Sequence, residues 1–559
     1  MVADLFVLNR KGKGQMTSNY FPHVALVCVL VFQTASFSQR TNSQRLPRQT
    51  TVTAVFTQSV WLDTNRIKIN LNNRGGLDWN QYGEAAFWPD IDYNVYNSIV
   101  FDCGPWVIGK LNGVPSMGLS QWGSTYSPGP ILNGQAAMVV DPADSLRYRP
   151  YRIGRGDTPE SNPDYKEWPT DFGAPVDVNG KPRLYGDQTV WTVFNDMDSS
   201  APWPIGFYAP VPRLPVEIQQ AAYARSQVGK DTSALLANVV FLEWTIVNRG
   251  DAPIESTYVS LWTDIDFNDG DFHLNLPAID TVNQLGYCWQ GQDWAYGPPR
   301  AVGFVWLYGP AVPSTGGTAI FKGQTRADLR NLPLSSFWGI QDDSWPDASF
   351  YGPAYSMKTA WNIARGFDKV GNQILDSVTH QVTRFPYSGD PVSGTGWLCR
   401  ESSGGAGFNL FSGPFTLVPH DTQWVMTALV PSTSNDRLEC VRLLRQYAAT
   451  LRSMSYDDII LTSVFGASPT FPSTVQLLQN YPNPFNPSTT IRYALPQRSH
   501  VTLTVFNTLG QQVATLVNET QEPGYHDVRF DASGLASGVY FYRLQGGESR
   551  TTKRLLLIR

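Results

Sequence analysis

Apolar residues recur at every second position along much of this chain, and Gly, Pro, Asn or Asp closes each short run. Residues 66–71 are the simplest case: Ile67, Ile69 and Leu71 alternate with Arg66, Lys68 and Asn70, as in a strand with one buried face, and the Asn-Asn-Arg-Gly-Gly of 72–76 stops it. A strand over 51–61 is expected to pair with it. Residues 238–248 set Val240, Leu242, Trp244 and Ile246 against Val239, Phe241, Glu243 and Thr245. Apolar on most of both faces, this stretch predicts a central strand. The turn residues Arg249-Gly250-Asp251-Ala252-Pro253 then predict a return into 255–263, making a central hairpin. Shorter strands are expected at 98–101, 106–108, 189–194, 301–308, 416–418 and 424–429. Only one stretch carries a convincing helical period: Asn435 or Asp436 caps 437–452, with Leu438, Val441, Leu444 and Ala448 on one face.

The last residues carry the densest alternation. Segments 489–495, 501–507, 511–517, 525–530, 538–544 and 552–558 are β-branched or aromatic and are separated by turn residues. Six or seven strands in about eighty residues make a small sandwich. Its opening, Tyr481-Pro482-Asn483-Pro484-Phe485-Asn486-Pro487, cannot be helix, because three prolines remove backbone donors and push each preceding residue to extended geometry.

The run 479–487, then Ser488-Thr489-Thr490-Ile491, Leu509-Gly510-Gln511, Leu535-Ala536-Ser537-Gly538-Val539-Tyr540 and the basic end at Lys553-Arg554 resembles the type A C-terminal sorting domain of the bacterial type IX secretion system. The resemblance implies a small immunoglobulin-like β-sandwich, recognised after passage into the periplasm by the secretion machinery and its sorting peptidase. It marks Tyr481, Pro482, Asn483, Pro484, Phe485, Asn486, Pro487, Gly538, Tyr540, Lys553 and Arg554 as the sorting signal. More diffusely, 241–250, 262–266, 286–287, 298–303 and 413–417 resemble a pattern in large secreted proteins that carry the same tail and have no assigned activity.

An export signal is expected at the other end. Arg10, Lys11 and Lys13 form a basic region, 24–32 an apolar core too short to span a bilayer, and Ser36 and Ser38 set up a cut before Gln39. Met16 is an alternative start, and Val27 before Cys28 argues against a lipoprotein. The expected organisation is a signal peptide over 1–38, an N-terminal β-rich domain over 39–230 and a second β-sandwich over 231–460. A linker over 461–475 and the sorting domain over 476–559 follow. The break between the upstream halves is placed at 227–233. The fold class is all-β: an antiparallel β-sandwich cargo region of one or two domains, followed by the small sandwich.

Composition agrees. Charged residues are 16% and aromatics 13%, with 47 Gly and 40 Pro, which suits many short strands in an extracellular protein. A net charge of −5 offers no concentrated basic face for nucleic acid. Past the signal, Cys103, Cys288, Cys399 and Cys440 match no metal framework and are expected as single buried thiols.

Candidate chemistry is thin. His273, His380, His420, His500 and His526 fall in no metal-ligand spacing, and Gly118-Leu119-Ser120-Gln121-Trp122-Gly123 misses the nucleophile elbow by one residue. Asp157 with Asp164, or Asp196 with Asp198, are carboxylate pairs of the kind glycoside hydrolysis uses, but in a β protein full of Asp-bearing turns the turn reading outweighs the catalytic one. The Arg249-Gly250-Asp251 tripeptide reads as turn chemistry ahead of adhesion. Asp264, Asp266, Asn268, Asp269 and Asp271 crowd the end of the central hairpin and predict an irregular calcium site, with Asp280 as a further ligand. The expected activity is a non-enzymatic surface or secreted role, binding glycan or matrix through aromatic faces. The alternative is a secreted carboxylate-dependent hydrolase.

Overall fold

The computed structural model describes residues 57–77, 85–88, 97–199, 201, 213–226, 235–267, 275–292, 298–340, 353–400, 406–460, 475–480, 483–495, 499–521, 524–547 and 549–558. The expected signal peptide, most of the 461–475 linker and the 227–233 break lie outside these residues.

In chain order the upstream strands are β1 (Ser59–Leu62), β2 (Lys68–Asn72), β3 (Ala86–Phe87), β4 (Ser98–Val100), β5 (Asp102–Leu111), β6 (Val114–Leu119), β7 (Tyr151–Gly154), β8 (Gln188–Asn195), β9 (Val216–Ala224), β10 (Val240–Asn248) and β11 (Ile254–Ile265). There follow β12 (Asn275–Asp280), β13 (Leu285–Gln290), β14 (Arg300–Tyr308), β15 (Ala311–Phe321), β16 (Gln324–Asn331), β17 (Ser336–Ile340), helix α1 (Pro353–Ala364), β18 (Ala406–Leu417), β19 (Thr422–Thr433) and helix α2 (Arg437–Ser453). A nine-stranded sheet runs β7-β8-β9-β10-β19-β14-β13-β12, with Ser127–Pro128 added beside β8. A five-stranded sheet runs β17-β18-β11-β5-β6, and β1 to β4 form a four-stranded sheet in order.

One core joins the two large sheets: Leu242, Trp244 and Ile246 of β10 and Leu429 of β19 meet Leu261 of β11 and Phe408 and Leu410 of β18. Each outer face is covered by a helix. Cys440, Val441, Leu444, Ala448 and Leu451 of α2 pack on Phe241, Tyr287 and Met426, while Met357, Ala360 and Ile363 of α1 pack on Trp106, Trp262 and Phe411. β10 is therefore buried along its whole length, on both faces.

The expected central hairpin does not form. β10 pairs with β9 and β19, whereas β11 pairs with β5 and β18, so 249–253 is a crossover between two sheets. The physical reason is that both strands are central and each already has two neighbours. Asn248 holds the corner, donating through Nδ2 to the carbonyls of Ala252 (2.9 Å) and Leu417 (3.0 Å). β9 and β10 flank residue 230 and are hydrogen-bonded along their lengths, so the two segments expected on either side of it share one sheet.

Helix α2 starts where its cap predicts: Asp436 accepts from the Leu438 and Glu439 amides at 2.8 and 2.9 Å. Helix α1 is an addition to the sequence reading, which confined helix mainly to 437–452. Its apolar positions at 357, 360 and 363 recur every three residues, but the segment opens on a proline and carries aromatic residues that also suit strands.

The tail contains β20 (Gln476–Leu477), β21 (Ser488–Leu495), β22 (Ser499–Phe506), β23 (Gln512–Gln521), β24 (Gly524–Asp531), β25 (Gly538–Gly546) and β26 (Ser549–Leu557). A three-stranded sheet, β20-β21-β24, and a four-stranded sheet, β23-β22-β25-β26, enclose Ile491, Tyr493, Leu503, Tyr542 and Leu555 in a core of their own.

Candidate functional site

The turns after β2 and β6 and the start of β5 enclose a cleft of about 460 Å³, lined by Asn72, Arg74, Phe101, Asp102, Ser120 and Trp122, among others. Turn geometry sets it. Asn72 accepts through Oδ1 from the Arg74 and Gly76 amides (2.8 and 3.1 Å), and Arg74 donates from Nε to the Tyr126 carbonyl (2.9 Å) and from Nη2 to that of Ser124.

Trp122 is the unusual residue here. Its φ is +43°, a region that bulky side chains avoid, and the Gln121 amide donating to the Gly123 carbonyl (2.7 Å) closes the turn around it. Two carboxylates hold it. Its backbone N–H donates to Asp102 Oδ2 at 2.6 Å and its indole Nε1 to Asp264 Oδ2 at 2.9 Å. Asp102 and Asp264 are register partners on β5 and β11, and both are buried. The ring also meets Trp262 edge-on at 5.5 Å. Gln121 behind it is fully buried, with neither amide atom of its side chain hydrogen-bonded, a cost that native interiors rarely carry.

The other acidic candidates all accept hydrogen bonds from within the fold. Asp157 accepts from the Gly154 amide and Asn162 Nδ2, both at 2.6 Å, and Asp164 accepts from Arg149 Nη2 (3.0 Å) and the Arg152 amide (2.9 Å). Asp196 is fully buried and accepts from Thr125 Oγ1 (2.7 Å), the Leu214 amide (2.9 Å) and Arg213 Nη1 (3.3 Å). Burial pushes its carboxyl up to about 7 against the pull of Arg213. Asp198 accepts from Ser127 Oγ at 3.0 Å. In the Arg-Gly-Asp tripeptide, Arg249 donates to the buried Glu217 at 2.7 Å, so its guanidinium is engaged within the fold.

Of the predicted calcium ligands, Asp264 and Asp266 leave the end of β11, while Asn268, Asp269 and Asp271 lie outside the described residues. Asp280 caps its own turn through the Val282 and Asn283 amides and pairs with Arg445. Among the described residues no three His, Cys, Asp or Glu side chains come together as a metal cage. All four described cysteines are buried, and burial raises the Cys103, Cys288 and Cys440 thiols, the last to about 12. A second polar cluster, where Glu243 accepts from Tyr223 Oη (2.6 Å) and Trp424 Nε1 (3.0 Å), leaves only about 10 Å³ and is closed packing.

In the tail, residues from both ends of the chain segment come together. Gln479 Nε2 donates to the Arg554 carbonyl (2.7 Å), the Leu556 amide to Asn483 Oδ1 (2.8 Å) and the Phe485 amide to the Leu556 carbonyl (3.0 Å). Phe485 is buried against Phe530, Tyr540 donates to the Ala536 carbonyl (2.8 Å), and Gly538 opens β25 opposite Leu557. Lys553 stands opposite Tyr542. Asn486 and Pro487 are exposed just before β21; Tyr481 and Pro482 lie outside the described residues.

Residues 479–558 match the family described as the secretion system C-terminal sorting domain. The tail is a type IX sorting domain. It marks the chain for export through that system, to a secreted or surface-attached location. No helix among the described residues is long and apolar enough to cross a membrane.

No curated protein matches the sequence. Among solved structures, a polysaccharide lyase is 11% identical, over 66% of this chain and 39% of its own, with a TM-score of 0.18. The adhesin domain of Epf from Streptococcus pyogenes is 8% identical, over 60% of this chain and 89% of its own, at 0.12. PorZ, a surface component of the type IX secretion system of Porphyromonas gingivalis, is 10% identical, over 90% of this chain and 58% of its own, at 0.13. Likeness of that degree carries no argument about the cargo.

Proposed function

We propose that the exported cargo binds glycan in the Trp122 cleft and does so without turning it over. The observation that carries this reading is the use of the two nearby carboxylates. Hydrolysis needs a pair of carboxyl groups roughly 5 to 10 Å apart and facing the sugar. Asp102 and Asp264 instead each direct an oxygen to an N–H of Trp122, spending their charge on holding a strained aromatic residue in place. An aromatic ring offers an apolar face at low entropic cost, and Asn72, Ser120 and Ser124 line the same cleft with polar groups suited to hydroxyls. The test is a glycan array followed by calorimetry on the mature protein. Trp122→Ala is expected to weaken binding at least about ten-fold, or ~1.4 kcal/mol. Release of reducing ends from a bound glycan, lost in Asp102→Asn, would overturn the non-enzymatic reading in favour of the hydrolase.

Calcium enters the same proposal as an ion held by Asp264, Asp266, Asn268, Asp269 and Asp271, of which Asp264 also orients the Trp122 indole. At a hundred times its dissociation constant it would stabilise the fold by about 2.7 kcal/mol. Superimposable melts in calcium and in chelator would remove it.

A further inference from the structure

The turn that carries Trp122 is closed at its base by one threonine. Thr125 donates its amide to the Leu119 carbonyl (2.9 Å) and accepts the Leu119 amide through Oγ1 (3.0 Å), so residues 119 and 125 are tied in both directions. The hydroxyl proton of Thr125 goes to Asp196 Oδ1 at 2.7 Å, because the chain leaving β8 brings a fully buried carboxyl under the turn. The approach is close: a Cβ on Gly118 would stand 3.0 Å from the carboxyl carbon of Asp196. Arg213 joins the two, donating from Nη1 to Asp196 Oδ1 and to the Thr125 carbonyl, both at 3.3 Å.

The two oxygens of Asp196 have different work. Oδ2 accepts the Leu214 amide (2.9 Å), and an N–H aimed at that oxygen disfavours a proton on it. Burial pushes this carboxyl up to about 7, so in mildly acidic water it is neutral and carries its proton on Oδ1, facing Thr125 Oγ1. Thr125 then becomes the acceptor and turns its own proton to the Leu119 carbonyl, 3.4 Å away. That carbonyl already receives the Thr125 amide and the Ser124 hydroxyl (3.1 Å), and one oxygen has two lone pairs for three donors. Ser124 has a second acceptor in the Arg74 carbonyl at 2.8 Å, and Ser124 lines the cleft. One proton on Asp196 thus rearranges the hydrogen bonds of the turn as far as the cleft wall and removes the charge that Arg213 faces.

The ionised form holds the turn harder, because hydrogen bonds to a carboxylate are about twice as strong as neutral ones. Trp122 needs that hold, since its φ of +43° is kept only under constraint.

We propose that Asp196 is a positioning residue for the Trp122 cleft, fixing through Thr125 the turn that carries the tryptophan and so setting the affinity for ligand; this rests on the glycan reading of the cleft. Affinity then rises with pH as Asp196 ionises. Four other titratable groups stand around it. Arg213 is its partner, and Asp198 accepts from Ser127 Oγ at 3.0 Å. Arg74 reaches the turn from the β2 side through the Tyr126 and Ser124 carbonyls. Burial, and then Asp196 itself, raise the Tyr126 phenol well above its ordinary value, which keeps it neutral throughout.

The test is fluorine NMR on the full chain labelled with fluorotryptophan, titrated from about pH 5 to about pH 9, with the Trp122 signal identified by its absence in Trp122→Phe. The expected result is a Trp122 signal that moves with a midpoint near 7 in the wild-type protein and stays still in Asp196→Asn. Thr125→Val, which removes the hydroxyl, is expected to keep a pH-dependent stability while its Trp122 signal no longer follows pH. Thr125→Ser, which restores the hydroxyl, is expected to restore the movement. Alongside, calorimetry with the glycan found on the array is expected to show affinity at least about five-fold weaker at the acid end than at the alkaline end, and no such difference in Asp196→Asn. A Trp122 signal that is flat in the wild type, or that titrates alike in Asp196→Asn or Thr125→Val, would overturn the proposal. Glycan binding without pH dependence would also overturn it and leave the cleft reading standing, whereas a titrating Trp122 signal with no glycan bound at any pH would remove the cleft reading and keep the coupling.

Discussion

The two regions of this protein solve the burial problem differently. In the cargo, β10 is covered on both faces, by the opposing sheet on one side and by α2 and its neighbours on the other. In the tail, β25 alternates between buried residues such as Tyr542 and Leu544 and outward ones such as Phe541 and Gln545. A sheet covered on both faces has no surface left for recognition except at its turns, which is where the Trp122 cleft lies. A sheet with one open face can present a surface directly, which is what a tail read by other proteins needs.

Core truncation should separate the regions most. Trp244 is buried at the centre of the cargo, with its indole donating to Gln220 at 2.7 Å, and Trp244→Ala is expected to cost about 4 kcal/mol by denaturant unfolding. A cost below about 1 kcal/mol would mean that the two-sided packing is loose. The next effect is pH dependence. Burial raises the folded-state pKa of Asp196 above its unfolded value of about 3.9, so between that pH and about 7 the folded state keeps a proton that the unfolded chain has lost. The stability from this group is complete below the unfolded pKa and is lost as pH rises through the folded one. A decline on the order of 3 kcal/mol from pH 4 to 8 is expected, flattened in Asp196→Asn, with Arg213 and Tyr126 as the neighbouring titratable groups. Equal slopes in the two proteins would assign the pH dependence elsewhere.

In the tail, Tyr542 Oη receives the Asn480 amide and donates to the Leu478 carbonyl, each at 2.8 Å, so Tyr542→Phe should cost about 1 kcal/mol in a thermal melt. The smallest effect belongs to the open face. Thr515→Ala, on an exposed position of β23, is expected to change stability by less than about 0.5 kcal/mol, and a larger loss would show that this face is covered in the intact protein.

The same contrast explains what could be read in advance. The tail's strands stand close to where alternation placed them: 489–495 was expected and Ser488–Leu495 is found, 538–544 was expected and Gly538–Gly546 is found. One face must meet water, so the period of two is written in the residues. In the cargo, β10 and β11 were legible as strands but not as members of different sheets, because a strand apolar on both faces says nothing about which neighbour it takes. Helix α1 was hidden for a related reason, since Trp361 and Ile363 suit a strand as well as a helix. The cleft was illegible because it joins Asn72, Asp102, Trp122 and Asp264 from four separate turns and strand ends. In segment 118–123 the serine nearly fits a nucleophile motif, whereas it is the tryptophan whose N–H groups the structure ties to Asp102 and Asp264.

The lead-in of the tail has one more effect, on colloidal behaviour. β26 is one of the two edges of its sheet, and an edge offers unpaired N–H and C=O groups to any other chain that can add a strand. Gln479, Asn483 and Phe485 cover part of that edge, taking up the Arg554 carbonyl, both backbone groups of Leu556 and the Ile558 amide. The proline at 484 prevents the added segment from extending the ladder further. The intact tail thus keeps its β26 edge covered, and a tail trimmed from Gln479 to Pro487, with that edge laid open, is expected to self-associate more than the intact one in sedimentation.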